Sequence, residues 1–187
     1  MTKIFAVSNQ KGGVGKTTTA VNLAASISAA EFKVLLIDLD PQGNASSGLG
    51  VYPSDQAHSI YDVLVDETAM SDAILNTELP FLDLVYANQD LIGAEVELIN
   101  ALGREHRLKE ALAAIKDKYD YIVIDCPPAL GLLTVNALAA ADGVIIPLQC
   151  EYYAMEGMSQ LLRTIQLIQK RINPNLELEG IVLTMYD

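Results

Sequence analysis

The chain has 187 residues, 12 Lys and Arg against 24 Asp and Glu, and a formal net charge of −12. This length suits one domain with a sizeable core, and a hydrophobic share of 51% with 19% charged residues excludes a disordered chain. The acidity argues against a basic coat for nucleic acid or anionic lipid, and no apolar run is long enough to span a bilayer.

In chain order, Lys3–Ser8 reads as a short buried strand, followed by a glycine-rich loop. It begins almost at Met1, which predicts no signal peptide. Lys16–Ala30 has the apolar spacing of a helix at Ala20, Leu23, Ala24 and Ile27. Lys33–Asp38 is a second strand. Pro41–Asp55, dense in Gly, Ser, Asn and Pro, reads as a loop. Ser59–Val65 and Met70–Leu75 read as short helices, Leu82–Tyr86 as a strand, and Leu91–Lys118 as helix broken near Gly103. Tyr121–Asp125, Gly143–Leu148 and Leu178–Thr184 are three further apolar strands, with helices over Leu132–Ala140 and Tyr152–Ile172. Strands alternating with helices predict an α/β fold, a single domain over residues 1–187 with a mostly parallel, doubly wound sheet and helices on both faces. The two cysteines, Cys126 and Cys150, have no metal-ligand spacing and read as reduced thiols. The last strand, close to Asp187, is expected to be partly naked.

The strongest chemical signal is Lys11-Gly12-Gly13-Val14-Gly15-Lys16-Thr17-Thr18, which follows a strand and opens a helix. Glycines there let the backbone curl so that its N–H groups point inward, and the helix N-terminus adds positive potential for a phosphate. Lys16 can reach the β- and γ-phosphates, and Thr17 can offer its hydroxyl to Mg²⁺. The loop departs from G-x-x-x-x-G-K-[ST], because Gln10 stands where the first glycine would fall, and a second lysine, Lys11, precedes the glycine run. Two cations flanking one phosphate site favour an electrostatic role over a solubilising one.

Two strand ends carry carboxylates: Asp38 and Asp40 after Leu35-Leu36-Ile37, and Asp125 after Ile122-Val123-Ile124. Open α/β sheets bind ligands beyond the carboxyl ends of their strands, where Asp can hold Mg²⁺, directly or through water, or orient an attacking water. Either segment alone is as consistent with a cap or turn; the phosphate loop in the same chain tips both toward function. Pro127 and Pro128 stiffen the segment after Asp125.

Together KGGVGKTT, LLIDLDPQGN, YIVIDCPPALGLLTVNAL and PLQCEYYAMEGMSQLL resemble the ParA/Soj chromosome- and plasmid-partition ATPases, which belong to the deviant-Walker P-loop group with MinD and the nitrogenase iron protein. The resemblance implies that ATP and Mg²⁺ are bound. Lys11 would be the signature lysine that crosses an ATP-bound homodimer to the partner's phosphates, and Gly12 would lie where the subunits meet. Lys16 and Asp40 would join Lys11 in catalysis, with Asp40 positioning the hydrolytic water. Lys11, Gly12, Gly13, Val14, Gly15, Lys16, Thr17 and Thr18 would contact nucleotide, and Thr17 and, through water, Asp125 would serve the metal. The resemblance further implies a cytoplasmic switch, nucleoid-associated if full length, with a ParB-like centromere-binding partner and no membrane association. Family members continue past the strand ending at Thr184-Met185-Tyr186-Asp187 with basic DNA-contacting residues, so a chain truncated at its C-terminus is expected not to hold nonspecific DNA by itself.

Arg163, Lys170 and Arg171 can share a helix face, where solvated charge is the more economical reading than a DNA contact. Arg104, Arg107 and Lys109, interleaved with Glu105 and Glu110, favour local ion pairing. His58 and His106 lack ligand-spaced partners; Tyr152, Tyr153, Met155 and Met158 could line a dimer face or pack on the sheet. Competing functions are a MinD-like division-site switch, which needs a C-terminal amphipathic helix, a small-molecule enzyme on the same fold, and an inactive scaffold.

Overall fold

Strands buried on both faces read as near-continuous apolar runs, and Val34–Asp38 (β2), buried at all five positions, is apolar up to its terminal Asp38. A computed structural model describes residues 1–52, 57–151 and 154–186, and the side chains of all of these except 154–157. The end of the loop expected over Pro41–Asp55 and the start of the last expected helix at Tyr152 and Tyr153 lie outside the described residues, as does the Met155 side chain.

The remaining strands are β1 (Lys3–Val7), β3 (Ile74–Asn76), β4 (Leu82–Val85), β5 (Tyr121–Asp125), β6 (Gly143–Gln149) and β7 (Glu177–Thr184). They form one sheet in the order β3-β4-β2-β5-β1-β6-β7. Every pairing is parallel except β3 with β4. The helices are α1 (Lys16–Ala29), α2 (Asn44–Gly48), α3 (Ile60–Leu64), α4 (Leu91–Glu97), α5 (Arg107–Ala113), α6 (Leu132–Ala140) and α7 (Ala154–Arg171). The helical stretch expected over Leu91–Lys118 is broken as anticipated, with Gly103 in the left-handed region at φ 65°.

Two elements depart from the sequence reading. The stretch expected to be all loop after Pro41 contains α2, whose Ser46 is anchored to Asp38 at the end of β2. The second expected short helix is one 3₁₀ turn, Met70–Asp72, followed by β3. Antiparallel pairing of Ile74, Leu75 and Asn76 with Val85, Leu84 and Asp83 overrides a weak helical pattern.

Residue alternation sorts the core onto both faces. Val34 and Leu36 join Ala20 and Ala24 of α1 and Ala45 of α2 on one side. Leu35 and Ile37 join Leu91 of α4, Leu112 of α5, Leu133 and Ala137 of α6 and Leu161, Ile165 and Ile168 of α7 on the other. The doubly wound expectation therefore holds. The edge strand β7 is open, with Leu178, Ile181, Val182 and Leu183 all exposed, as expected of the last strand.

Buried polar groups pin the helices to one another. Asn136 of α6 accepts from the Leu108 N–H at 3.1 Å and donates to the carbonyls of Arg104 and Leu132. Asn136→Ala strands the Leu108 N–H and the Arg104 carbonyl. It should lower unfolding free energy by about 1–3 kcal/mol, measured as a lower urea midpoint with unchanged slope.

Candidate phosphate-binding site

The parallel register sets the site. Val7 pairs with Asp125, and Asp38 also pairs with Asp125, so the ends of β1, β5 and β2 lie at one level. The loop leaving β1 then arches over the two carboxylates. Gly13 and Gly15 adopt φ of +74° and +84°, a region where a Cβ is strained, so both positions need glycine. Gly12 has no such requirement. Lys16 turns back into the loop and donates from Nζ to the Lys11 carbonyl at 3.0 Å. Gly15 stands at the cap position of α1 with no side-chain cap, and the first turn carries no acidic residue. The N-terminal amides of α1 thus keep their hydrogen-bonding capacity for an anion.

A cavity of about 560 Å³ brings the loop and the carboxylate arm together. It is lined by Gly12, Gly13, Gly15, Lys16, Thr17 and Thr18 on one side and by Asp40, Gln42 and Asn44 on another, with Pro128 and Met185 at its margins. Val14 is fully buried beneath the loop. Burial lowers the Lys16 ammonium pKa, while Asp125 and Asp40 pull it back up.

Asp125 is fully buried, and neither carboxylate oxygen has a hydrogen-bond partner of regular geometry among the described residues. Burial pushes its carboxyl up from 3.8 to about 7; the Thr17 hydroxyl pulls it down, the Asp38 and Asp40 charges push it up, and Lys16 pulls it down. An orphaned buried carboxylate beside a threonine hydroxyl is the donor set a hard cation satisfies, so Thr17 and Asp125 fit Mg²⁺.

Asp38 has a different place. Its Oδ2 accepts from both the N–H and the hydroxyl of Ser46, at 2.9 and 2.8 Å, and its Oδ1 accepts from the Asp40 N–H at 3.1 Å. Ser46 in turn accepts from the Ala87 N–H. Asp38 is therefore the bracket that fixes Asp40 and α2. Asp40 itself accepts from the Gln42 N–H at 3.0 Å.

Three supports are given no role by the sequence reading. Asn9 donates to the Pro147 carbonyl at 2.6 Å and accepts from the Lys11 N–H, tying the loop to β6. Thr184, at the end of β7, donates to the Val14 carbonyl at 2.8 Å. Glu151 accepts from Lys11 Nζ at 2.8 Å, so the second lysine is held at the rim of its own chain. An acidic partner for Lys11 follows from charge alone, but nothing in local spacing selects Glu151, which is 140 positions away.

The weaker sequence features resolve as surface or structure. Arg107 pairs with Glu67, Arg104 donates to the Ile99 carbonyl, and His58 stands 3.8 Å from Asp62. Arg163, Lys170 and Arg171 are exposed on α7. No group of three or more metal-ligating His, Cys, Asp or Glu occurs among the described residues, and Cys126 and Cys150 are free thiols. No described helix is long and apolar enough to cross a membrane.

The raised Asp125 carboxyl has a stability consequence in the nucleotide-free chain. Between pH 4 and about 7 the folded chain keeps a proton that the unfolded chain has lost, so this group's contribution to stability falls as pH rises through that window. The difference in urea midpoint between Asp125→Asn and the unaltered chain should grow in favour of the variant from pH 5 to pH 7.5. A pH-independent difference would contradict the raised carboxyl.

A family model described as an AAA domain matches residues 2–178. The chain is 58% identical over 185 residues to the chromosome partitioning protein ParA of Myxococcus xanthus, covering 99% of this chain and 65% of that protein. It is 57% identical over 187 residues to the sporulation initiation inhibitor protein Soj of Bacillus subtilis, covering 100% of this chain and 74% of that one. The chain thus spans about two thirds to three quarters of the length of these relatives. Among solved structures, a Mycobacterium smegmatis protein named cobyrinic acid a,c-diamide synthase, with bound ATP analog and magnesium, superposes with a TM-score of 0.96 at 46% identity, over 100% of this chain and 76% of that one. With its loop, carboxylates and sheet order in place, this chain belongs to the ParA/Soj family of P-loop partition ATPases.

Proposed function

We propose that this chain is the nucleotide-binding part of an ATP-driven, dimerising switch for DNA segregation. The observation that carries this reading is the single cavity joining the uncapped start of α1, Lys16 and Asp40, with the orphaned Asp125 carboxylate behind it. ATP hydrolysis to ADP and phosphate needs little covalent help from a protein; positioning and electrostatics supply most of the catalysis. The loop amides and Lys16 hold the phosphates, and Thr18 borders the same cavity. Thr17 and, through water, Asp125 would hold Mg²⁺, which neutralises phosphate charge when bound. Asp40, fixed through its backbone by Asp38, orients the attacking water.

In this reading Lys11 leaves Glu151 and reaches the phosphates bound by a second copy. The exchange is cheap: both side chains are substantially exposed, and such surface pairs contribute about 0–1 kcal/mol. Closing two acidic chains over two ATP molecules requires cations at the seam, and Lys11 brings one from each. ATP then favours the closed state because the contacts between Lys11 and the phosphates held by the second copy exist only there. A ParB-like partner and a cytoplasmic, nucleoid-associated life are the finer parts of the proposal, supported by the names of the partition relatives. Nonspecific DNA binding belongs to longer family members; this chain, at −12, offers duplex DNA no dense basic stripe.

The name of the Mycobacterium smegmatis neighbour favours a second reading, a small-molecule enzyme on the same scaffold. Molecular mass in solution separates the two: the switch requires an ATP-dependent increase toward a dimer, and a monomeric ligase does not.

Two substitutions test the site itself. Lys16→Ala should weaken ATP binding by at least tenfold, since it removes a charge-assisted hydrogen bond worth about 1.5–3 kcal/mol. Asp40→Ala should leave ATP affinity within about threefold while lowering turnover by about a hundredfold or more. Calorimetric titration and phosphate release read the two out; unchanged affinity in the first, or unchanged turnover in the second, refutes the corresponding role.

A further inference from the structure

We propose that α4 and the turn after it form a docking surface for a basic amphipathic helix of a partner protein. α4 buries Leu91 and Ala94, and Leu98 just beyond it, against the sheet, as an ordinary surface helix does. A second set of apolar side chains, on α4 and the turn after it, faces solvent. Ile92, Val96 and Ile99 are 65%, 71% and 58% exposed, and Leu102 is 95% exposed. The spacing of four and three residues puts Ile92, Val96 and Ile99 along one side of α4 and the single 3₁₀ turn that continues it, Leu98–Asn100, and Leu102 follows after the chain turns extended at Ala101. Scattered apolar residues on a surface are ordinary, whereas a contiguous stripe marks an interaction site.

The stripe borders a groove of about 460 Å³ walled by Ile99, Leu130, Leu132 and Val135, with Glu95 and Glu105 on its rim. Asp90, Glu95 and Glu97 stand exposed along the same helix. Arg104, the one cation among the described residues that line the groove, spends a guanidinium N–H on the Ile99 carbonyl. The surface is thus apolar in the middle and acidic at the edges.

That charge pattern selects the occupant. A second copy docked face to face would set two acidic rims against each other, and an anionic lipid surface would meet the same repulsion. A helix with an apolar stripe flanked by Lys or Arg satisfies both features, laying its stripe into the groove and its cations on the rim. The site lies apart from the phosphate loop, and docking needs no nucleotide. It does touch the segment leaving Asp125: Leu130 and Leu132 flank Gly131, and the Glu95 carboxylate sits close over Gly131, where a Cβ would meet it.

The test is a fluorescence anisotropy titration of the whole chain with a labelled Leu/Lys amphipathic helical peptide of about 18 residues, at about 0.15 M salt. The comparison peptide has the same composition in scrambled order, which keeps the charge and destroys the stripe. We expect Ile92→Ser/Val96→Ser, which removes the exposed apolar side chains leading into the groove, to weaken the amphipathic peptide by about tenfold or more, since a few apolar anchors carry most of such an interface. Asp90→Asn/Glu95→Gln should weaken it severalfold and flatten its salt dependence. Leu167→Ser, which removes an exposed apolar residue on α7, should leave affinity unchanged. Circular dichroism confirms folding of each variant, all of them at exposed positions. Equal binding of the scrambled peptide, equal binding by Ile92→Ser/Val96→Ser, or no binding at all would overturn the proposal. So would sedimentation showing self-association that Ile92→Ser/Val96→Ser abolishes, because the occupant would then be a second copy.

Discussion

Everything in this molecule hangs on the parallel register that brings Val7, Asp125 and Asp38 to one level across three adjacent strands. A carboxylate at the end of a buried strand is an electrostatic burden, and two side by side are worse. The chain resolves them differently. Asp38 is satisfied internally by Ser46 and the Asp40 N–H. Asp125 is left without a regular partner and faces the phosphate loop. One carboxylate thus becomes architecture, and the other remains available for chemistry, although both end apolar strands of similar sequence.

The phosphate loop was legible from sequence because glycine at a left-handed backbone position leaves a compositional mark, as Gly13 and Gly15 show. The same holds for the sheet strands, whose unbroken apolar runs can only be buried on both faces. α2 was not legible. Its residues Asn44–Gly48 form poor helix, and what holds it is the pair of bonds from Ser46 to a carboxylate eight residues earlier. β3 was missed because its three residues acquire strand character only by pairing with β4. Asn9, Glu151 and Thr184 escaped for a related reason. Each acts on the loop through a contact made by the fold, and contacts across 138 to 170 positions leave no local pattern.

Charge is distributed with similar economy. The chain is strongly acidic, yet the cations nearest the phosphate loop are both engaged by oxygen, Lys16 by a loop carbonyl and Lys11 by Glu151. Lys16 is desolvated and held in one geometry, as suits a fixed phosphate ligand. Lys11 is exposed and bound to a partner it can exchange at little expense. Two lysines five positions apart therefore differ in how free they are to move, and that difference follows from burial rather than from residue type.

The contact between Thr184 and the Val14 carbonyl gives the open edge of the sheet a second meaning. β7 is the outermost strand, its apolar side chains face water, and its last residue holds the buried turn of the phosphate loop. Edge strands fray, and fraying from this end would release the loop before it disturbed the core. Whatever lies over β7 then acts as a splint: it lowers the entropy of a strand whose last residue is 170 positions from Val14 along the chain, yet stiffens the cradle that the loop glycines form. The ordering of a phosphate site is in this way coupled to the cover of a distant hydrophobic edge, through one hydroxyl and one carbonyl.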